Sequence, residues 1–492
     1  LRRQRLYIRN MRTGSADQRR SRKTKQTMFH NRPFTLALVL LGTTSLPLAA
    51  QQADTAARQG VQTAQTSPAS SEPWSLARCL EYARANNLQV QSARITAEAG
   101  DIELEAAKAA RYPTLSFNTG QNVSHQSAIK LINDYGEVVS DGSFSYGGSY
   151  GIGSTTAIYQ GGRLRNNVRQ QERRAESSRL GVEKSLNDIT VNVVQAYLQV
   201  MYAAETVEIN RRAVTLAEEQ ADRAQRMLEQ GAVARTEVAQ MLSQLGSAQY
   251  DLTTAQNNLA QYRLQLKQLL ELGPDANFDV EFPEISDDEV LRIIPSVEEV
   301  YDAALGIMPE TRQADILIEA SQFAERAARS AFYPQVSLSA NVSTGHQSGL
   351  GLSMGSQLSQ KLNESIGLSL SVPIFNGKNA RTSVRQARLN TRQAEIDSRT
   401  ARKDLLSTIE SLHRDAVAAQ SNYMAAGQKL AYAEESYRLA VASFEQGKNN
   451  AVELNTEKNN FLAAMSERLQ AKYKAVLAAK ILAFYRGEPI TL

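Results

Sequence analysis

Four histidines, one cysteine and a few glycine-rich stretches are the residues of this 492-residue sequence best suited to chemistry. His30, His125, His346 and His413 fall in an amino-terminal apolar segment, two expected loops and an expected helix. None is paired at the i, i+4 spacing that sets two imidazoles on one helical face for a metal. His125-Gln126-Ser127 recurs as His346-Gln347-Ser348, which reads as a trace of duplication. Cys79 is the only cysteine, so neither a disulfide framework nor a multi-thiolate zinc site is available. Gly349-x-Gly351-x-x-x-Gly355 lacks the spacing of a dinucleotide fingerprint, and there is no Walker loop and no G-x-S-x-G elbow. The expectation is a chain with no catalytic residues, no metal and no cofactor.

Charge points away from nucleic acid. The formal net charge is +4, but residues 1–50 hold 11 of the 55 Lys and Arg and a single acid, Asp17. The remainder carries 44 bases against 50 acids, and a mildly acidic body offers no basic face to neutralise phosphates. The amino-terminal segments read as an upstream basic stretch (1–27), a secretory signal peptide (28–50) and a polar, flexible leader (51–72). Phe34 to Leu41 is an apolar core too short to span a bilayer as a helix, and Cys79 lies too far beyond it to accept a lipid. No later run approaches 18 apolar residues, so entry of the mature chain into a membrane requires a β-barrel.

The body is duplicated. AAKAARYPTLSF returns as ERAARSAFYPQVSL, setting Tyr112-Pro113 against Tyr333-Pro334 at an offset of 221. Tyr159-x-Gly161 and Val168-Arg169-Gln170 return as Phe375-x-Gly377 and Val384-Arg385-Gln386, and Glu229-Gln230-Gly231 returns as Glu445-Gln446-Gly447, all at 216. A constant offset over so long a span marks an internal repeat, and the change of five falls between the strands, where a loop absorbs it.

Each repeat has the order helix, strand, strand, helix. The first covers 73–272 with strands about 113–122 and 144–160; a linker (273–296) precedes the second, 297–487, with strands about 334–345 and 364–376 and a tail at 488–492. The strands alternate apolar or aromatic residues with small polar ones, as in Val336, Leu338, Ala340 and Val342 against Ser337, Ser339 and Asn341. Long proline-free stretches follow, Gly162 to Glu229 and Gly377 to Glu445. Val182, Leu186, Ile189, Val193, Ala196, Val200, Ala203 and Val207 step by 4 and 3, a coiled-coil seam, and such a helix extends roughly 100 Å. Helices return over about Val233 to Leu272 and Asn450 to Phe484. A returning helix and a pre-strand helix together match the long one in length, so two short helices stacked end to end can pair with it.

Ten-residue strands with one apolar and one small-polar face are the signature of a membrane barrel wall. Four cannot close a barrel, and open edges in lipid are forbidden, so several copies must share one. A coiled-coil scaffold without a pore, periplasmic or surface-attached, is the alternative reading.

The duplicated element order, the Tyr-Pro junctions at Tyr112 and Tyr333 and the Glu-Gln-Gly turns at Gly231 and Gly447 resemble the TolC family of outer-membrane export channels, over about Trp74 to Gly487. The resemblance implies a mainly α fold with a small transmembrane β part. It implies a long coiled-coil helical tunnel in the periplasm and four β-strands per protomer contributing to a shared trimeric 12-stranded barrel. It further implies a passive exit duct of a tripartite efflux or type I secretion system in the outer membrane. The implied partners are outer-membrane lipid, a periplasmic adaptor protein and an inner-membrane transporter that supplies the energy. By the same resemblance the turns at Gln230, Gly231, Gln446 and Gly447 dock the adaptor. Glu453 matches an acid of the family's periplasmic entrance constriction, while Asn449 and Thr456 stand where the family has a basic lock residue and a second acid. Glu237 occupies the first-repeat place of Glu453 and is expected to make inter-helix contacts.

Overall fold

The computed structural model describes residues 73–126, 129–133, 136–140, 143–274, 278–446, 448 and 450–491, all within the unit spanning 69–492. The upstream stretch, signal peptide and leader expected over 1–72 lie outside these residues.

Proline and asparagine set the first boundaries. Helix α1 (Leu76–Asn86) gives way to α2 (Leu88–Ala109) at Asn87, whose side chain caps the second helix by accepting from the Gln89 amide at 2.9 Å. Pro113 cannot continue the helical ladder, and β1 (Thr114–Gln126) begins directly after it. A short hairpin, β2 (Ile129–Asn133) and β3 (Gly136–Ser140), then precedes β4 (Ser143–Gln160). The alternation used for the sequence reading did not anticipate this hairpin. Helix α3 (Arg163–Glu229) runs 67 residues and α4 (Arg235–Leu269) returns 35. Between the repeats comes a one-turn α5 (Asp287–Val290). The second repeat has α6 (Val297–Ile307), α7 (Pro309–Arg329), β5 (Gln335–Gln347), a short α8 (Met354–Gln360) and β6 (Asn363–Ser371). Helices α9 (Asn379–Glu445) and α10 (Ala451–Tyr485) then repeat the lengths of 67 and 35 residues.

Two boundaries differ from expectation. Strand β1 extends to Gln126, past the expected 122. Strand β6 stops at Ser371, short of 376, because Pro373 has no amide to give a ladder.

The four long strands form one antiparallel sheet in the order β1-β4-β5-β6, leaving β1 and β6 as free edges. Register keeps like with like: Phe117 faces Ile152, Ile152 faces Val342, and Leu338 faces Leu368. On the other face Ser116, Gly153, Asn341 and Ser365 line up. The apolar face is bare in the protomer, with Leu115, Phe117, Val123, Ile366, Leu368 and Leu370 all exposed. Since polar Ser and Gly cover the opposite face, neither supplies a buried core to the sheet.

The core lies in the helices. Ile189, Val193, Val200, Ala203 and Val207 of the expected seam are buried. The segment read as a linker is partly ordered structure: Trp74 bridges Val280, and the Tyr197 hydroxyl donates to the Glu281 carbonyl at 2.6 Å. Helix α2 stacks on the end of α4, for the Asn87 side-chain amide donates to the Leu269 carbonyl at 3.0 Å. The Tyr-Pro and Tyr-x-Gly motifs meet at one point. A Cβ on Gly161, whose φ is +59, would come within 2.7 Å of the Tyr333 Cβ, so only glycine fits there. Among the described residues no helix is long and apolar enough to cross a membrane.

Candidate functional site

At the end of α3, the Gly231 amide donates to the Leu228 carbonyl at 2.9 Å and the Ala232 amide to the Met227 carbonyl at 2.8 Å. This double closure needs a left-handed residue, and Gly231 supplies φ +73. The end of α9 makes the matching long bond, from the Lys448 amide to the Ser443 carbonyl at 2.9 Å. Gln230 and Gln446 cap the two helices. Gly447 and Asn449, the other turn and lock positions read from the sequence, lie outside the described residues.

The structure brings the two turns side by side. Ala221, Ala224, Val238, Met241, Phe444 and Leu454 share one apolar cluster, and Arg223 of α3 pairs with Glu445 of α9 at 2.7 Å. Asn450 caps α10 by accepting from the Glu453 amide at 2.9 Å. Glu453 is exposed in that first turn, where the positive end of the helix favours a carboxylate. Thr456 is exposed one turn on and donates back to the Val452 carbonyl at 2.9 Å. Glu237 is half-buried in the first turn of α4.

Just inside this tip, sequence reading missed Lys458. It is 3% exposed, and among the described residues its ammonium donates to the Gln220 side-chain oxygen at 3.3 Å. Gln220 in turn donates to the Tyr437 hydroxyl at 3.2 Å, so the lysine ties α10 to α3 and α9. Burial pushes its pKa below the ordinary lysine value. The signal was available: Ala451, Leu454 and Lys458 share one helical stripe, and a lysine on an apolar stripe is a buried amine.

The described histidines do not converge, and His125 and His346, expected in loops, stand instead on β1 and β5. His125 lies against Phe144 at 4.3 Å between ring centroids, whereas His346 packs beside Tyr146 and Tyr150. Among the described residues no group of three His, Cys, Asp or Glu side chains could hold a metal. Cys79 is fully buried, and desolvation pushes its thiol up to about 12.

A sheet with one bare apolar face, carried on helical hairpins whose far turns hold exposed carboxylates, defines a membrane-wall protomer of an export channel. The model of the outer membrane efflux protein family matches residues 79–271 and 300–488, and the chain belongs to that family. It is 21% identical to the outer membrane efflux protein BepC of Brucella suis over 83% of this chain and 84% of that one. It is 23% identical to the alkaline protease secretion protein AprF of Pseudomonas aeruginosa, covering 82% of each. The outer membrane protein VceC of Vibrio cholerae shares the fold with a TM-score of 0.70 at 17% identity, over 84% of this chain and 96% of that one. The protein is thus an outer-membrane channel component with a helical tunnel and a barrel contribution. Its family works with adaptor proteins and inner-membrane transporters in efflux or secretion.

Proposed function

We propose that three copies of this chain close one barrel of twelve strands, four from each, and form a passive exit duct without catalytic activity. One observation carries the head-to-tail ring, and three is the copy number typical of the family. Tyr333 of the second repeat, 52% exposed, packs its stem against Gly161 of the first. The duplicated counterparts are open: Tyr112 is 73% exposed, and among the described residues a side chain on Gly377 would meet nothing within 4 Å. The duplication provides a plug and a socket on opposite flanks, the arrangement of a head-to-tail ring. Exposed apolar stripes accompany them, Leu88, Ile95 and Ile102 on the α2 flank and Leu389 and Ile396 on the α9 flank. Lower down, Tyr250 of α4 and Tyr432 of α9, also exposed, stand within ~3 Å of the same height at 1.5 Å rise per residue.

The turns at Gln230, Gly231, Gln446 and Gly447 face the periplasmic adaptor in this reading, and an inner-membrane transporter supplies the energy. Three Glu453 carboxylates ring the entrance beside Asn449 and Thr456, drawing cations to a narrow mouth, while Glu237 braces the neighbouring helices. Single-channel conductance in planar bilayers tests this. Wild type should pass a small cation-selective current, and Glu453→Ala should reduce that selectivity. An unchanged mutant removes the role of Glu453, and failure of any oligomer to insert removes the channel.

A further inference from the structure

We infer the register in which β6 of one protomer pairs with β1 of the next: Asn363 opposite Gln126, Ser365 opposite Ser124, Gly367 opposite Asn122, Ser369 opposite Gly120 and Ser371 opposite Asn118. The inference rests on the ring proposed above. It comes from the duplication, which the sheet obeys residue by residue. In the first hairpin Thr114 pairs with Thr155, and in the second Gln335 pairs with Ser371. These are the same pair displaced by 221 on one strand and 216 on the other, the offsets of the sequence repeat. The seam between repeats inside one chain pairs β4 with β5, with Gly147 opposite Gln347 and Thr155 opposite Ser339. Carrying that seam across by the same two offsets gives the pairs above.

The side chains provide a separate check. In this register Ile366 meets Val123, both bare apolar residues in the protomer, and Glu364 meets His125, a carboxylate against an imidazole. Both pairs lie on the apolar face that holds Phe117 and Leu368. A slip of one residue would turn that face toward the polar side. In the inferred register Leu368 meets Gln121 and Leu370 meets Thr119, and a slip of two also keeps one apolar pair, Leu370 with Phe117 or Leu368 with Val123. That slip places Glu364 beside Val123 or outside the strand, so the Glu364–His125 pair separates the registers. Matched pairs of this kind are what fix a strand register. Pro373 stands at the place of Ala157, where the internal seam has its bulge, so the ladder ends there without breaking a longer run.

Disulfide trapping tests the register on the full-length protein in detergent, where buried Cys79 does not compete. Ser369→Cys is combined in turn with Gly120→Cys, Asn118→Cys and Asn122→Cys, and the oxidised samples are run under denaturing, non-reducing conditions. A covalent trimer is expected from the Gly120 combination, with a several-fold smaller yield from its neighbours, because disulfide geometry requires Cα atoms roughly 4.4–6.8 Å apart. A maximal yield from either neighbour overturns the register and leaves the trimer standing. No cross-link from any combination in a protein of trimeric mass also overturns the register, whereas a monomeric mass overturns the ring itself.

Discussion

Lys458 holds its ammonium where the packing offers one amide oxygen. Removing it from water costs free energy that a single neutral hydrogen bond only partly offsets. Lys458→Met keeps the stem and drops the charge, so it should raise stability by on the order of 1 kcal/mol, read as a higher unfolding midpoint. The pH dependence has a definite sign. Because the folded pKa lies below the unfolded one, the unfolded state binds the extra proton between the two values, and stability rises with pH there. Wild type should therefore approach the methionine variant as pH climbs toward the ordinary value of 10.5. A gap that widens instead would show that the amine is paired more strongly than the Gln220 contact indicates. Cys79 should resist thiol reagents at neutral pH until the protein unfolds, since it is buried and its thiol is pushed up to about 12.

At the level of elements, the turns are fixed by single residues. Gly231→Val puts a β-branched side chain at φ +73 and should cost at least about 1–2 kcal/mol. Asn450→Ala removes the α10 cap and should cost ~1 kcal/mol, seen as faster amide exchange at Glu453 without loss of the remaining helix. Helix extents were legible because their limits are chemical: Pro113 ends one, Gly162 and Gly231 bracket another, and a heptad seam runs between. Strand extents were less legible. Alternation in a strand such as Ser143–Gln160, rich in Gly and Ser, carries little contrast, and the apolar run of Val372 and Ile374 masks the stop that Pro373 imposes on β6. The tip was read only in part. Gly231 and Glu453 stand out by spacing, but Arg223–Glu445 and Gln220–Lys458 join residues more than 200 positions apart, and no local pattern encodes them.

For the assembly, the duplication makes a comparison that a pair of substitutions can settle. Tyr333→Asp damages a junction inside the protomer and should lower its thermal stability. Tyr112→Asp occupies the equivalent place on a free flank, so it should leave the helical content and unfolding midpoint of the protomer near wild type and weaken association. Light scattering in detergent should then report lost trimer for Tyr112→Asp. Equal loss of protomer stability in both would place Tyr112 in an internal contact and remove the plug-and-socket argument.

The matched helix lengths, 67 against 67 and 35 against 35 residues, restrict how such a chain can vary. An insertion in α3 alone would shift its seam against α4 and leave its turn below that of α9. By this geometry the tunnel keeps both its seam and its level turns only when all four helices lengthen or shorten together by whole heptads.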